Sequence, residues 1–127
     1  MCSLRCFWVF VIFVITSHHY QLSSVVASKL RLEEFKQTRA QLLGSKFSQL
    51  CTTQEGTGPL YYKWTKNGHQ LSSAGANHQV KSTEDGSLLI INQLAATDAG
   101  NYSCTVTNSV GQSDQQTTML AVKGFQF

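Results

Sequence analysis

Asp98-Ala99-Gly100-Asn101-Tyr102-Ser103-Cys104 is the stretch that decides the fold. Tyr102, Cys104 and Val106 are spaced by two, so in an extended strand they share one face while Ser103, Thr105 and Thr107 take the other. Asp98 and Gly100 precede this strand in a tight turn, where a short side-chain acceptor and a residue free of Cβ strain are both useful. Working outward, Tyr62 and Trp64 share a face of an earlier strand, with Cys51 further upstream. Polar Ser103 and Thr105 between buried-type residues make this a half-buried strand, not a helix.

Gly44-Ser45-Lys46, Cys51, Tyr62-Lys63-Trp64-Thr65-Lys66-Asn67-Gly68, Gly86-Ser87-Leu88-Leu89-Ile90 and the Asp98 to Cys104 block follow one another between Gly44 and Val122. In that order they resemble an I-set-type immunoglobulin domain, and locally the immunoglobulin domains of neuregulin-type growth factors and neural adhesion molecules. The resemblance implies an all-β fold, an immunoglobulin-like β-sandwich of two antiparallel sheets pinned by one inter-sheet disulfide, Cys51 to Cys104. It also implies that Trp64 packs on the bridge and that Tyr102 locks a corner. Such a bridge closes a long loop and removes roughly 4 kcal/mol of unfolded-state entropy. The same motifs are shared across very many domains, so they specify a scaffold and leave the ligand open. Gln49 departs from the pattern, which usually places an inward aliphatic residue there. Either the core of that sheet is locally wetter or the register of the strand differs.

Strands are expected near 46–53, 60–66, 69–71, 78–82, 87–92, 101–108 and 115–122, separated by turn-rich stretches such as Gln54 to Pro59, Lys66-Asn67-Gly68 and Glu84-Asp85-Gly86. Short strands at this spacing suit a sandwich. Trp64, Tyr102, Leu88 and Ile90 are read as core. Leu89 and Ile91 then form an opposite-parity apolar pair, either covered by the N-terminal segment or exposed as a contact patch. Leu30, Leu32 and Phe35 do not decide between strand and helix, and their segment is taken as an extended edge strand behind a loose tail. The chain divides into a leader, 1–27, a lead-in, 28–39, one immunoglobulin-like domain, 40–123, and a short tail, 124–127.

At the N-terminus, Arg5 precedes Phe7-Trp8-Val9-Phe10-Val11-Ile12-Phe13-Val14-Ile15, an apolar run too short to span a bilayer. A basic start, a short apolar centre and small residues at Val25-Val26-Ala27 read as a secretory signal peptide cut after Ala27, with Ser24 and Ser17 as alternative cut sites and an uncleaved signal-anchor as the competing reading. Cleavage removes Cys2 and Cys6 and leaves Cys51 and Cys104 as an even pair in an oxidising compartment. No apolar span or lipid-anchor tail follows the last strand, so the expected product is secreted and extracellular, with no stable membrane insertion. No separate growth-factor module is present, and receptor-kinase activation is not carried over from the neuregulin resemblance.

Composition narrows the function. Ten Lys+Arg against seven Asp+Glu give +3, dispersed along the chain, with no basic stripe for nucleic acid. His69 and His78 stand apart, with no cysteine or carboxylate at metal spacing. The sequence has no Gly-x-Ser-x-Gly elbow, and Gly56-x-Gly58-Pro59 is a turn, not a phosphate cradle. The expectation is a non-enzyme with no cofactor. Asn101-Tyr102-Ser103 is an N-glycosylation sequon whose Asn101 points outward, and it is either occupied or closed off by early folding of the corner. The outward residues Tyr61, Lys63, Thr65, Ser103, Thr105 and Thr107 form a candidate binding face, with Tyr61 and Lys63 as a small hot spot. The leading function is a binding module for a cell-surface or extracellular protein, in neural or developmental recognition or signalling. Homophilic adhesion and a soluble immune or decoy role are the alternatives.

Overall fold

The computed structural model describes residues 29–124; the expected leader and Phe125-Gln126-Phe127 lie outside the described residues. Nine strands follow in order: β1 (Arg31–Leu32), β2 (Thr38–Leu42), β3 (Phe47–Glu55), β4 (Leu60–Lys66), β5 (His69–Gln70), β6 (His78–Ser82), β7 (Gly86–Ile91), β8 (Gly100–Asn108) and β9 (Ser113–Lys123). They form a four-stranded sheet, β1-β3-β7-β6, packed on a five-stranded sheet, β2-β9-β8-β4-β5. Pairing is antiparallel except between β2 and β9, which run parallel from Thr38 opposite Met119 to Leu42 opposite Lys123. The seven strands expected from turn spacing, β3 to β9, agree with the observed bounds to within two residues, whereas β2 was not among those expected and runs across the boundary drawn between lead-in and domain.

The sheets are joined covalently by Cys51 of β3 and Cys104 of β8, with Cα atoms 6.5 Å apart and 53 residues between them in sequence. Trp64 of β4 lies opposite Cys104, and Ser87 of β7 lies opposite Cys51, so the register of both sheets brings the indole to the bridge. The indole N–H donates to Ser87 Oγ at 2.9 Å, and Ser87 Oγ lies 2.7 Å from Ser82 Oγ. Phe35 stacks on Trp64 with ring centroids 6.0 Å apart. A large apolar ring thereby fills the space beside the disulfide with its one polar atom satisfied, which avoids the penalty of a buried unpaired donor.

That hydrogen bond fixes a parity that the sequence concealed. Residues directly opposite in an antiparallel pair share a face, so inward Cys51 forces Ser87 inward, followed by Leu89 opposite Gln49 and Ile91 opposite Phe47. Leu89 and Ile91 are in the core cluster, in place of the expected Leu88 and Ile90. Leu88 is half-exposed, and Ile90, although 8% exposed, lies outside that cluster on the other face.

The chain changes sheets between β1 and β2. Its crossing amides are met from both sides: Leu32 N–H donates to Asp114 Oδ2 at 2.8 Å, Phe35 N–H to Gln116 Oε1 at 3.2 Å and Glu33 N–H to Thr52 O at 2.9 Å. These bonds explain why Asp114 and Gln116 occupy inward positions of β9, since a crossing strand would otherwise leave buried donors unpaired. Leu30 and Leu32 are buried in the core and Phe35 packs against it, so the lead-in closes one side of the sandwich. Gln49 also points inward, between Phe47 and Cys51 in parity, and accepts a hydrogen bond from Arg39 Nη1 at 2.9 Å. The Arg39 guanidinium sits 4.8 Å from the Phe47 ring centre. The register is therefore as read from sequence, and the seam between β2 and β3 is a locally polar part of the core.

Before β8, a single helical turn, Ala96–Asp98, leads into the corner. Asp98 Oδ2 accepts from Ala95 N–H at 2.8 Å and from Asn77 Nδ2 at 3.2 Å, while the Tyr102 hydroxyl donates to Asp98 O. Gly100 has φ +154°, and a Cβ there would come within 2.8 Å of the Asn67 side chain. Asn67 uses that approach to accept from Asn101 N–H at 2.9 Å, and its own N–H donates to Asn101 O at 2.8 Å.

Two outcomes are expected. Trp64→Ala, which removes the ring beside the bridge and the donor that Ser87 accepts from, costs about 3–5 kcal/mol, read by denaturant unfolding; a midpoint equal to the parent's contradicts the packing. Burial, assisted by the Asp98 carboxylate, pushes the Tyr102 phenol from its ordinary 10.0 up to about 12. The native state therefore holds this proton longer than the unfolded chain, so the contribution is complete below pH 10.0 and is lost as pH rises through about 12. Melting temperature should fall over that alkaline window, and less steeply in Tyr102→Phe; parallel profiles for the two proteins contradict this assignment.

Candidate functional site

The outer face of the five-stranded sheet is built by register. Tyr61 of β4 lies opposite Thr107 of β8, which lies opposite Ser113 of β9; Lys63, Thr105 and Gln115 form the next row, and Thr65, Ser103 and Thr117 the one after. Side chains two apart on a strand are about 7 Å apart and strands are about 4.8 Å apart, so these rows form one continuous surface. Tyr61 is 63% exposed and Lys63 is exposed beside it. Thr65, Thr105 and Thr107 are half-buried.

Ser103 needs correction as a contact residue. It faces the same way but is only 8% exposed, with its Oγ 2.8 Å from Thr117 Oγ1. The strand order places β8 between β9 and β4, so a short side chain at its centre is shielded from both sides. Exposed Ser113, Gln115 and Thr117 of β9 belong to the face and were missed. Their strand begins with a nearly continuous polar run, and only Leu120 and Val122 near its end mark which parity points inward.

Exposed apolar side chains lie elsewhere too. Leu50, 57% exposed, stands opposite Leu88, which stands opposite Lys81, on the outer face of the four-stranded sheet. This strip takes the place of an exposed Leu89 and Ile91 patch, one of the two alternatives expected from sequence; both residues are instead in the core cluster with Leu30 and Leu32. At the β2–β9 edge, Leu42 is 54% and Met119 48% exposed.

Asn101 is exposed at the start of β8 and shares the outer face with Thr105 and Thr107. His69 is exposed on edge strand β5, and His78 Nε2 lies 3.1 Å from Ser72 O. Among the described residues, no group of three His, Cys, Asp or Glu could hold a metal ion, and no helix is long and apolar enough to cross a membrane.

Comparison with known proteins agrees with this architecture. Rat pro-neuregulin-1, membrane-bound isoform, is 29% identical over 99 residues, covering 76% of this chain and 15% of the relative. The Drosophila melanogaster protein named tyrosine-protein kinase-like otk is 31% identical over 88 residues, covering 68% of this chain and 8% of that protein. The chain thus spans a small part of these relatives' length. Among solved structures, the crystal structure of the titin M10–obscurin like 1 Ig complex contains a chain that superposes with a TM-score of 0.67 at 21% identity, over 80% of this chain and all of that one. Residues 33–122 match the immunoglobulin I-set domain. With its bridged sheets, its tryptophan beside the disulfide and its tyrosine corner, the chain belongs to the immunoglobulin I-set family.

Proposed function

We propose that this chain is a secreted binding module whose five-stranded sheet presents Tyr61 and Lys63 to a cell-surface or extracellular protein. The observation that carries this reading is Tyr61 itself: a 63% exposed aromatic ring opposite Thr107 of the interior strand β8, with a cation two residues along the same face. Tyrosine supplies large contact area for little conformational entropy, and a rigid sheet adds no ordering cost on binding. Homologues in adhesion and signalling proteins support a general binding role, and the family and fold are typically non-enzymatic.

A second reading, pairing between copies, draws on the β2 edge. That strand is bonded on one side only and carries exposed Leu42, and an unpaired edge is a template for another strand. Concentration-dependent mass in solution separates it from the first.

The test is binding of the protein, displayed as a multimer to make weak contacts visible through avidity, to an array of extracellular domains that includes itself. One reproducible protein partner is expected, with Tyr61→Ala costing about 2 kcal/mol, roughly 30-fold in Kd, and Lys63→Ala slowing association. Unchanged binding by both variants, with their folding intact, contradicts the assignment of the face.

A further inference from the structure

We infer that Asn101 is a site of N-linked glycosylation, modified before the domain closes, and that its glycan lies over Met119 and covers one end of the outer face of the five-stranded sheet. The inference rests on the secretory reading proposed above, because the donor is found in that pathway.

Both backbone polar groups of Asn101 are engaged by Asn67, whose side chain accepts from the N–H and whose own N–H donates to the C=O, and the side chain of Asn101 is left facing solvent. On a strand a side chain stands roughly perpendicular to the sheet. Its cross-strand neighbour is Met119, itself opposite Thr38 of β2. Directly opposite Cα atoms lie about 5 Å apart, so the first sugar on Asn101 rises beside the methionine. Met119 is 48% exposed on a surface with no other large apolar side chain in its row. A pyranose ring with apolar C–H edges is the kind of group that shields it while remaining hydrated.

Ser103 sets the timing. The third residue of a sequon must be reached by the transferase together with the asparagine. In the folded domain Ser103 is 8% exposed, and its hydroxyl is bonded to Thr117 of the neighbouring strand. Transfer therefore takes place before β8 docks against β9 and before Cys104 closes the bridge. In the step itself, Asn101 Nδ2 attacks the anomeric carbon of an oligosaccharide carried on a polyprenyl pyrophosphate. The new C–N bond forms as the C–O bond to pyrophosphate breaks. The lipid pyrophosphate leaves with the bonding electron pair, and one amide proton passes to a base.

The placement also bears on binding. Asn101 and Thr107 are six residues apart on β8, about 20 Å. The glycan therefore occupies the Met119 end of the face and leaves the Tyr61 end open, so that a partner approaches from one end only.

The experiment uses the full chain expressed in secretory animal cells, together with a chain carrying an unrelated secretory leader in place of residues 1–27, each with an Asn101→Gln counterpart. Intact mass is read before and after peptide N-glycosidase. Met119, the one methionine besides Met1, is then oxidised with dilute peroxide. The expected result is a mass above that of the polypeptide, a drop on deglycosylation with aspartate left at 101, no drop in Asn101→Gln, and faster Met119 oxidation once the glycan is gone. Secreted chain at bare polypeptide mass under both leaders overturns the modification while leaving the binding module standing. A glycan whose removal does not change Met119 oxidation overturns its placement. Native chain retained in the cytosol, with the leader-exchanged chain glycosylated, overturns the secretory reading and leaves the sequon assignment intact.

Discussion

The structure depends on the cluster at its centre: Cys51 bound to Cys104 with Trp64 beside them. A covalent bond between sheets separated by 53 residues of sequence reduces the freedom of the unfolded chain by roughly 4 kcal/mol of entropy, a large share of what a domain of this size has to spare. The geometry it imposes matters as much. Once two opposed strands each have one inward residue fixed, every other residue on those strands is assigned a face, because a one-residue slip would turn the whole apolar set to solvent. Trp64 propagates the constraint sideways. Its indole reaches Ser87, which ties β4 to β7, and its face receives Phe35, which holds the crossing segment against the core.

The parts of the fold legible in the sequence are those where side-chain chemistry alternates. Tyr102, Ser103, Cys104 and Thr105 state their parity outright, and the turns around Gly68 and Gly86 bound the adjacent strands. Ser87-Leu88-Leu89-Ile90-Ile91 does not state it, since four consecutive apolar residues fit either face. The deciding residue was the serine, which a hydropathy reading sends to solvent and which the indole N–H draws inward. Asp114 and Gln116 are the same kind of case. They are inward and polar because backbone donors of a segment some eighty residues earlier need acceptors, a requirement invisible until the crossing between sheets is known. Gln49 was legible as an exception, and Arg39 supplies its reason.

The candidate site was legible by a similar measure. Tyr61, Lys63, Thr105 and Thr107 could be placed on one face from strand parity alone. Ser103 could not be excluded from contact without knowing that its strand is interior, and the contribution of β9 required the register of a polar run. Function is less constrained than fold, because the residues that hold an I-set domain together are indifferent to what it binds. The relatives carry such a domain within much longer proteins, where it occupies 15% or less of the chain. What distinguishes this chain must lie on its surfaces: the tyrosine and lysine of one sheet, the leucine strip of the other, and the sequon at the far end of the binding face.

The most direct measurement is side-chain oxidative footprinting of the complex with its partner, read residue by residue on the protein with and without the bound molecule. The account predicts loss of labelling at Tyr61 while Leu50 and Leu88, on the opposite sheet, label as in the free protein. Protection of Leu50 and Leu88 with Tyr61 unchanged would contradict it, and would move the binding surface to the four-stranded sheet.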